Sequence, residues 1–593
     1  MPKNQFINPN QVRKSGWIKF NDIPVNQYQK TIEEEKENYS KEDFLRIYHH
    51  MAIIREFETM IDLVKKTGQY NGVEYNHPGP AHLSIGQEAS AVGQAYLLDE
   101  DDFIFGSHRS HGEVLAKGLS VIHKMDNERL LKIMEEFFDG TVLRIVEENN
   151  KNSKDVKELA IDFLIYGTLA EIFARETGFN KGLGGSMHVF FTPFGIYPNN
   201  AIVGGSADIA MGSALYKKVN QKDGIVIANI GDASMGCGPV WEAMNMAAMD
   251  QFKLLWDESH RGGLPIIFNF FNNQYGMGGQ TSGETMGYGI LARVGAGINS
   301  EQMHAERVDG FNPLAVIDAI RRKKEVLENN QGPVLLDTLT YRFSGHSPSD
   351  ASSYRTKEEV EAWMEHDPLE VFKKDLIEAG VASQEEFDHI WENTKDLIFR
   401  NFKISIDENI SPYMDLKKNP NIISDLMFSN ERIEKMEDRE PDVLIPKEEN
   451  PRVQQIKRKV RTAYKDGKPV PKTRVLQLRD AIFEALLDKF YTDPTLVAYG
   501  EENRDWGGAF AVYRGLTESL PYHRLFNAPI SEAAIVGSAV GYGLSGGRAV
   551  VELMYCDFLG RAGDEVFNQL SKWQAMSAGI QKMPVVLRVS VGS

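Results

Sequence analysis

Gly224-Ile-Val-Ile-Ala-Asn-Ile-Gly-Asp232 begins the stretch of sequence that decides the fold, which continues to Gly278. A short apolar run that ends at a glycine is typical of a strand buried on both faces of a parallel sheet. A helical pattern starts at Pro239, and a second apolar run, from Leu264 to Phe271, leads into the polar segment Asn272–Gly276. The stretch therefore predicts a strand–helix–strand unit in which each strand ends in oxygen-bearing side chains.

Asp232 and Asn273 stand at the ends of these two strands. Ligands of open α/β sheets bind beyond the carboxyl ends of the strands, so we expect the two side chains to lie side by side in a site. One carboxylate, one amide oxygen and a nearby backbone carbonyl suit Mg²⁺, which otherwise takes phosphate oxygens and water. The small residues after Asp232 let backbone N–H groups and a helix start approach a diphosphate. A plain strand turn with an Asp cap and an Asn turn is the alternative.

The Asp232 and Asn273 pair resembles the cofactor motif of thiamine diphosphate enzymes. Further runs resemble the α part and the β part of the first, decarboxylating component of 2-oxo acid dehydrogenase complexes. The resemblance covers roughly 45–375 and 475–593. It implies an α/β fold with two thiamine diphosphate-binding domains, whose parallel sheets are covered by helices as in transketolase. The runs are Arg109-Ser-His-Gly112, Gly182-Leu-Gly-Gly-Ser-Met-His188 and Gly345-His-Ser-Pro-Ser-Asp350 for the α part, and Pro529-Ile-Ser-Glu532 for the β part.

The resemblance assigns a cofactor site and a metal site to the α-like part. Arg109 would grip the cofactor diphosphate, where a guanidinium fork suits phosphate oxygens. His111 would face the reacting carbon, and His346 would contact the reaction intermediate. A His-rich turn with surface donors is the alternative for the first run. The metal ligands would be Asp232, Asn273 and Tyr275, and Ala233 would contact the cofactor.

Glu532 and Phe558 are the functional residues that the resemblance assigns to the β-like part. Glu532 would hydrogen-bond a ring nitrogen of the cofactor aminopyrimidine, a general acid/base role set by its position and surroundings. The alternative for Glu532 is a charge that interacts with the dipole at a helix N-terminus. Phe558 would stack on the aminopyrimidine, with ordinary core packing as its alternative.

The chain departs from the family pattern at several places. Ala233 stands where relatives usually have Gly, and Ser344 stands where they often have a second His. The segment Met249–Gly263 lengthens the connection between the helix and the second strand, and the segment 204–208 is also longer. These changes are compatible with cofactor binding, and they indicate a divergent branch.

Bulk composition excludes several classes of protein. The chain has 593 residues, a formal net charge of −18 and 42% hydrophobic residues, which is ordinary globular composition and argues against nucleic acid as a partner. Cys237 and Cys556 are the only cysteines, with no paired spacing, so zinc and a disulfide framework are not expected. No apolar run approaches the roughly 20 residues of a membrane span. We therefore expect a cytoplasmic enzyme without a membrane partner.

The domain organisation follows from composition together with the resemblance. We expect an N-terminal extension at 1–40, an α-like domain that binds diphosphate and Mg²⁺ at 41–404, a charged, Pro-containing linker at 405–474, and a β-like pyrimidine-binding domain at 475–593. In most relatives the two parts are separate chains, whereas here they are fused. Relatives continue beyond the strand expected at 583–591, so the resemblance implies that the β-like part is incomplete. We accordingly expect this chain alone to bind cofactor weakly and not to acylate a lipoyl protein.

The expected activity is that of an oxidoreductase. The resemblance implies thiamine diphosphate-dependent oxidative decarboxylation of a 2-oxo acid, most similar to the pyruvate enzymes, with acyl transfer to the lipoyl group of a partner acyltransferase. It also implies a homodimer, because relatives build each site from different chains. The alternatives are an acetoin dehydrogenase, a transketolase-like enzyme without lipoyl transfer, and a non-catalytic subunit.

Overall fold

The computed structural model describes residues 5–150, 155–427, 432–472 and 475–592. All four predicted regions therefore include residues outside the described ranges. These are 1–4 in the extension, 151–154 in the α-like domain, 428–431 and 473–474 in the linker, and 593 in the β-like domain. The strands are β1 (Gln69–Tyr70), β2 (Val73–Glu74), β3 (Phe103–Ser107), β4 (Ile196–Asn200), β5 (Val226–Gly231), β6 (Ile266–Asn272), β7 (Glu306–Asp309), β8 (Val334–Leu339), β9 (Tyr464–Lys465), β10 (Lys468–Pro469), β11 (Leu496–Gly500), β12 (Leu525–Asn527), β13 (Arg548–Leu553) and β14 (Val585–Val589).

Helices surround these strands along the whole described chain. They are α1 (Pro9–Val12), α2 (Ile32–Glu35), α3 (Lys41–Thr67), α4 (Glu88–Ala95), α5 (His111–Lys124), α6 (Asn127–Glu136), α7 (Thr141–Asn149), α8 (Val156–Ile172), α9 (Ser206–Asn220), α10 (Gly238–Ala247), α11 (Gln251–Leu254), α12 (Pro313–Glu328), α13 (Lys357–Met364), α14 (Pro368–Glu378), α15 (Gln384–Ile406), α16 (Ile422–Asp425), α17 (Pro451–Arg458), α18 (Leu478–Phe490), α19 (Glu532–Leu544) and α20 (Ser571–Met576).

The larger sheet has the strand order β4-β3-β5-β6-β8-β7, and all its pairings are parallel. Strands β5 and β6 are direct neighbours, with Gly231 opposite Phe271. Residues of β6 are buried on both faces, as expected for a parallel strand that helices cover on both sides. The predicted strand–helix–strand unit is therefore present, and Asp232 and Asn273 follow adjacent strand ends.

The smaller sheet lies in the β-like part and has the order β12-β11-β13-β14, again with parallel pairings. Together with the larger sheet, it confirms the predicted α/β fold with two parallel sheets flanked by helices.

Helices α9 and α19 join the two parts through close backbone contact. A Cβ atom added at Gly541 would lie 1.8 Å from the Ile209 carbonyl oxygen, and one added at Gly212 would lie 1.9 Å from the Ser538 carbonyl oxygen. Both distances are far shorter than any van der Waals contact, so only glycine allows this approach. The small residues that recur in both helices therefore bring the α-like and β-like parts together.

The segment Met249–Gly263, to which the sequence assigned no role, packs against the β-like part. Trp256 is fully buried, and its ring centroid lies 5.6 Å from that of Phe526. The side-chain amide of Gln251 donates to the Asn527 carbonyl oxygen at 2.7 Å. The longer connection thus adds a second contact between the two parts of the chain.

Two details of the predicted helices are wrong. The sequence predicts a single helix over 561–574, but the chain there forms a 3₁₀ helix (Cys556–Ala562), a π-helical segment (Glu565–Leu570) and α20. The helical spacing of Trp241 with Met244 and Ala247 predicts that Trp241 lies on the apolar face of α10, but it is 43% exposed, and its indole N–H donates to the Met235 carbonyl oxygen. The spacing of apolar residues could not predict either feature. It does not distinguish a π-helical segment from an α-helix, and it does not show that the Trp241 side chain hydrogen-bonds the loop before α10. Within the described residues, none of the helices combines the length and apolar character that a membrane crossing requires.

Candidate active site

A cavity of about 400 Å³ opens at the carboxyl ends of β3, β5 and β6. Its position follows from the sheet, because adjacent parallel strands deliver their following loops to one edge. The predicted site residues that line it are Arg109, Asp232, Ala233, Asn273, Tyr275 and His346. His111, Glu532 and Phe558 do not line it.

Asp232 presents an oxygen atom that is suited to a metal ion. Its Oδ2 accepts a hydrogen bond from the Thr281 hydroxyl at 2.6 Å. Its Oδ1 is buried and has no hydrogen-bond partner among the described residues. Burial raises the pKa of Asp232 to about 7. A buried carboxylate oxygen without a partner is costly, and a hard cation would compensate it.

Asn273 is oriented by the turn that follows β6. Its Oδ1 accepts a hydrogen bond from the Tyr275 N–H at 3.2 Å, and Gln274 between them has a φ of 65°. The Tyr275 hydroxyl donates to Glu359 at 2.8 Å, which fixes the orientation of the ring. The donor set of the cavity is thus a carboxylate, an amide oxygen and loop carbonyls, which fits Mg²⁺.

Two guanidinium groups give the cavity a positive wall. Arg109 donates to the Leu83 carbonyl oxygen at 2.8 Å and to the His346 carbonyl oxygen at 3.0 Å. Arg342 donates to the carbonyl oxygens of Gly276 at 3.0 Å and Met277 at 2.7 Å. Burial, together with the charge of Arg342, lowers the pKa of Arg109 to about 9. Neither guanidinium has an ion pair with a carboxylate among the described residues, so both can accept an anionic group.

His346 lies on the irregular segment 343–356 and faces the two arginines. Its Nδ1 is 3.4 Å from a guanidinium nitrogen of each. Burial, followed by the charges of Arg109 and Arg342, lowers its pKa to about 4. Asp350 accepts from the His346 backbone N–H at 2.7 Å and so shapes the segment. The imidazole is therefore neutral near pH 7 and available as an acceptor.

His111 is placed behind the cavity wall. Its Nδ1 lies 3.2 Å from the Glu58 carboxylate, and its Nε2 lies 3.0 Å from both the carbonyl and the hydroxyl oxygens of Ser186. Burial acts to lower the pKa of His111, but Glu58 outweighs burial, and the pKa is raised. Both ring nitrogens are thus engaged within the protein, and the predicted role at the reacting carbon stays a prediction.

Glu532 is the first residue of α19 and is almost buried. The Ala534 N–H of this helix donates to Oε2 of Glu242, at 3.1 Å. Burial, followed by the Glu532 charge among other causes, raises the pKa of Glu501. Glu532 therefore belongs to a group of carboxyl groups between the two parts of the chain. Phe558 is 41% exposed in the 3₁₀ helix, so it is not an ordinary core residue.

Sequence reasoning missed residues that organise the site from outside its motifs. The Thr281 hydroxyl donates a hydrogen bond to the Asp232 carboxylate. The Arg342 guanidinium contacts both the Gly276–Met277 turn and the His346 ring. Glu171 is fully buried in α8, and its carboxylate accepts from the backbone N–H groups of the glycine-rich loop. Only Arg342 had a usable signal, as a charged residue three positions after the buried strand β8.

Comparison with known families assigns both parts of the chain. The family described as "Dehydrogenase E1 component" matches residues 50–134 and 157–412. The family described as "Transketolase, pyrimidine binding domain" matches residues 474–592. The first match covers the cavity, and the second covers Glu532 and Phe558.

Several relatives are similar to the α-like part. The pyruvate dehydrogenase E1 component subunit alpha of Rhizobium meliloti (strain 1021) is 32% identical over 362 residues, which are 61% of this chain and 84% of the relative. The subunit of the same name from Zymomonas mobilis is 34% identical over 347 residues, 58% of this chain and 79% of the relative. The mitochondrial subunit from Schizosaccharomyces pombe is 30% identical over 400 residues, 67% of this chain and 80% of the relative.

The fold, the cavity and these similarities agree. A parallel-sheet site with an unpartnered carboxylate oxygen and two guanidinium groups lies within the part of the chain that matches the first family. The chain belongs to the dehydrogenase E1 component family, as a thiamine-dependent 2-oxo acid dehydrogenase that carries a transketolase-type pyrimidine-binding domain on the same polypeptide.

Proposed function

We propose that this enzyme decarboxylates a pyruvate-like 2-oxo acid with thiamine diphosphate and Mg²⁺, and passes the acyl unit to the lipoyl group of a partner acyltransferase. The observation that carries the proposal is Asp232 Oδ1, a buried carboxylate oxygen without a partner beside two guanidinium groups. The names of the similar pyruvate dehydrogenase subunits support pyruvate as the substrate.

The metal and the diphosphate would be held by residues that already line the cavity. Asp232, Asn273 and the Tyr275 carbonyl would coordinate Mg²⁺, with Ala233 in backbone contact with the diphosphate. Arg109 would hold the diphosphate, because it lines the cavity and has no ion pair with a carboxylate among the described residues. These assignments make the α-like region, 41–404, the diphosphate-binding domain.

The proton chemistry would depend on the β-like region, 475–593. Thiamine diphosphate, when bound, supplies a nucleophilic carbon and takes up the electrons that decarboxylation releases. Glu532 would hold a proton against the aminopyrimidine ring, and Phe558 would pack against that ring. His346, kept neutral by its arginine neighbours, would accept a hydrogen bond from the reacting group. His111 would act in the same region, and its contact with Glu58 would fix its orientation.

The site would be completed by a second copy of the chain, which makes the enzyme a homodimer. Glu532 does not line the cavity of its own chain, while two cavity-lining side chains, Val203 and Met277, are 54% and 70% exposed. A neighbouring chain that covers these apolar groups would bring its own Glu532 to the cavity. Within one chain, the linker 405–474 would then join the α-like region, whose Asp232 lies in its own cavity, to the β-like region, whose Glu532 reaches the cavity of the neighbouring chain.

Complementation between variants tests this composite site. Asp232→Ala and Glu532→Gln chains are each expected to be inactive alone. Co-expression would form some dimers in which one cavity combines an intact Asp232 with an intact Glu532, so activity should return. If both residues serve the same cavity within one chain, co-expression restores nothing.

A substrate panel tests the reaction itself. Pyruvate, branched-chain 2-oxo acids, acetoin and ketose phosphates are each added with thiamine diphosphate, Mg²⁺ and an artificial electron acceptor. Acceptor reduction with pyruvate, and less with the others, is the expected outcome. Reduction with acetoin alone would favour an acetoin dehydrogenase, and turnover of ketose phosphates alone would favour a transketolase-like enzyme.

A further inference from the structure

The N-terminal segment 5–20, here called the arm, exposes large apolar side chains. Trp17 is 95% exposed, and the other five are each at least 63% exposed. The hydrogen bonds of the arm, among the described residues, stay within the arm itself, in and around the short helix α1. Apolar side chains that cover no surface of their own chain indicate a contact with another surface. The exposed apolar residues are Phe6, Ile7, Val12, Trp17, Ile18 and Phe20.

The arm is basic, whereas the chain as a whole is acidic. The arm contains Arg13, Lys14 and Lys19, and it contains no aspartate or glutamate. All three basic side chains are exposed. The whole chain has a formal net charge of −18, so a second copy of it is an acidic partner. Charges of opposite sign on two surfaces favour their association and fix which surfaces meet.

The chain that follows the arm is anchored along the edge strand β7. The Gln302 side-chain amide donates to the Asn21 carbonyl oxygen at 3.2 Å. Val25 forms a parallel bridge with Arg307, and the Asn26 N–H donates to the Arg307 carbonyl oxygen at 2.9 Å. Because this pairing is parallel, the chain runs in the direction of β7. The arm therefore leaves the protein at the end where β7 begins.

A second cavity, of about 570 Å³, lies beyond the other end of β7, where Asp309 is the last residue of the strand. Phe311, Val371 and Phe372 give this cavity an apolar wall. The titratable groups of its lining are four carboxyl groups, one lysine and one histidine, namely Glu33, Asp309, Asp375, Glu378, Lys30 and His366. The cavity thus combines an apolar wall with an excess of negative charge, which is the complement of the arm.

The carboxyl groups that α14 contributes to the cavity are only partly compensated. Burial, followed by the charge of Glu378, raises the pKa of Asp375. Lys374 lies 3.8 Å from Glu378, but both side chains are exposed, and such a pair contributes little. Lys30 lies 3.2 Å from Glu35, which is outside the lining. A further cation between these carboxyl groups would therefore be favourable.

We propose that the arm of one chain binds in this cavity of a second copy of the chain. Trp17 and its apolar neighbours cover the apolar wall, and the basic side chains of the arm pair with the carboxyl groups of the lining. The second copy is favoured over the same chain because the arm leaves β7 at the end opposite to its own cavity. Two copies can exchange their arms in both directions, which makes the contact symmetric.

Photo-crosslinking of the full-length chain tests where the arm binds. Trp17→p-benzoylphenylalanine keeps a large aromatic side chain at an exposed position, so the fold should not change. After irradiation, a denaturing gel should show a species of twice the chain mass, because the new bond joins two copies. Mass spectrometry should locate that bond in 309–314 or 371–379. Bonds within one chain, or bonds to any other surface, overturn the proposal.

Charge reversal tests the pairing between the arm and the cavity. Asp375→Lys together with Glu378→Lys should reduce the cross-linked species to the level seen without irradiation, because the cavity then repels the arm. Addition of Arg13→Glu and Lys14→Glu to the same chain should restore the species, because the charges are again complementary. A rescue that fails overturns the proposed pairing.

A matched control separates this effect from a general change of charge. Glu128→Lys together with Glu135→Lys changes two exposed residues of α6 outside the lining, and it should leave the cross-linked yield unchanged. Equal yields in the cavity variant and the control overturn the proposal. The exchange of arms shares with the proposed function only the presence of a second copy. Thiamine diphosphate binding, measured on the same samples, reports the proposed function separately.

Discussion

Glu242 and Ala534 join the two parts of the chain at the start of α19: the Ala534 N–H donates to Glu242 Oε2 at 3.1 Å. The N-terminus of this helix is thus capped by a carboxylate from α10, not by Glu532, the first residue of the helix itself. A helix needs such acceptors for its first N–H groups. Because Glu242 supplies one, the Glu532 carboxyl group is left for another partner.

Glu532→Gln should therefore keep cofactor binding and lose proton transfer. The amide still offers one hydrogen bond to the aminopyrimidine, but it holds no exchangeable acid proton of suitable pKa. Hydrogen–deuterium exchange at the thiazolium carbon should slow at least about a hundredfold, within the range for loss of a general acid or base. Glu518→Gln, an exposed change in the same part of the chain, is the control. An unchanged exchange rate in Glu532→Gln would exclude the proposed role.

Glu171→Gln should loosen the glycine-rich loop that contacts His111. The carboxylate accepts from the N–H groups of Asn180, Gly182, Gly184 and Gly185 at 2.7 to 3.0 Å. A glutamine NH₂ group cannot accept, so two buried N–H groups lose their partner, at a cost of about 3 kcal/mol.

Urea denaturation should report that loss, and hydrogen exchange should quicken in 180–187. Glu176→Gln, whose side chain lies outside this group of hydrogen bonds, is the matched control. Equal stability of the two variants would contradict the account of the loop.

Glu113→Gln should stabilise the protein at high pH and not at low pH. Burial raises the pKa of Glu113 from 4.5 to about 7. Between these values the folded state keeps a proton that the unfolded state has lost, so stability falls as pH rises and the loss is complete above about 7. The full loss is about 3 kcal/mol, and glutamine avoids it.

Chemical denaturation of the parent and Glu113→Gln at pH 5 and pH 8 measures this difference. The variant should gain stability relative to the parent only at pH 8. Glu128→Gln, on an exposed surface of α6, controls for the general effect of removing a charge. A gain that is equal at both pH values would show that Glu113 is ionised in the folded protein throughout this range.

The sequence was most informative where function depends on strand ends. Asp232 and Asn273 could be placed together because two apolar runs joined by one helix form adjacent parallel strands, and their carboxyl ends share an edge. Arg109, which the resemblance assigned to the diphosphate, follows β3, and β3 pairs with β5 in the same sheet. The positions of such residues can be predicted from local sequence patterns, because the direction and pairing of the strands determine where each strand ends.

The surroundings of His111 could not be predicted in this way. Its ring is held by Glu58, which is 53 positions earlier, and by Ser186, which is 75 positions later. Side-chain direction at the first residue of a helix depends on such long-range partners, and no local periodicity encodes them. Phe558 is a similar case, because its exposure depends on a 3₁₀ helix and a π-helical segment that replaced a regular helix.

Calorimetric titration of Asp232→Ala with thiamine diphosphate, in the presence of Mg²⁺, tests the central claim most directly. The variant lacks the carboxylate ligand, so its affinity should fall at least about a hundredfold below that of the parent, more than the loss of a ligand's supporting partner costs. Asp250→Ala, an exposed change of the same kind, should bind as the parent does. If Asp232→Ala binds the cofactor as tightly as the parent, Asp232 is not the metal ligand and the assignment of the cavity is wrong.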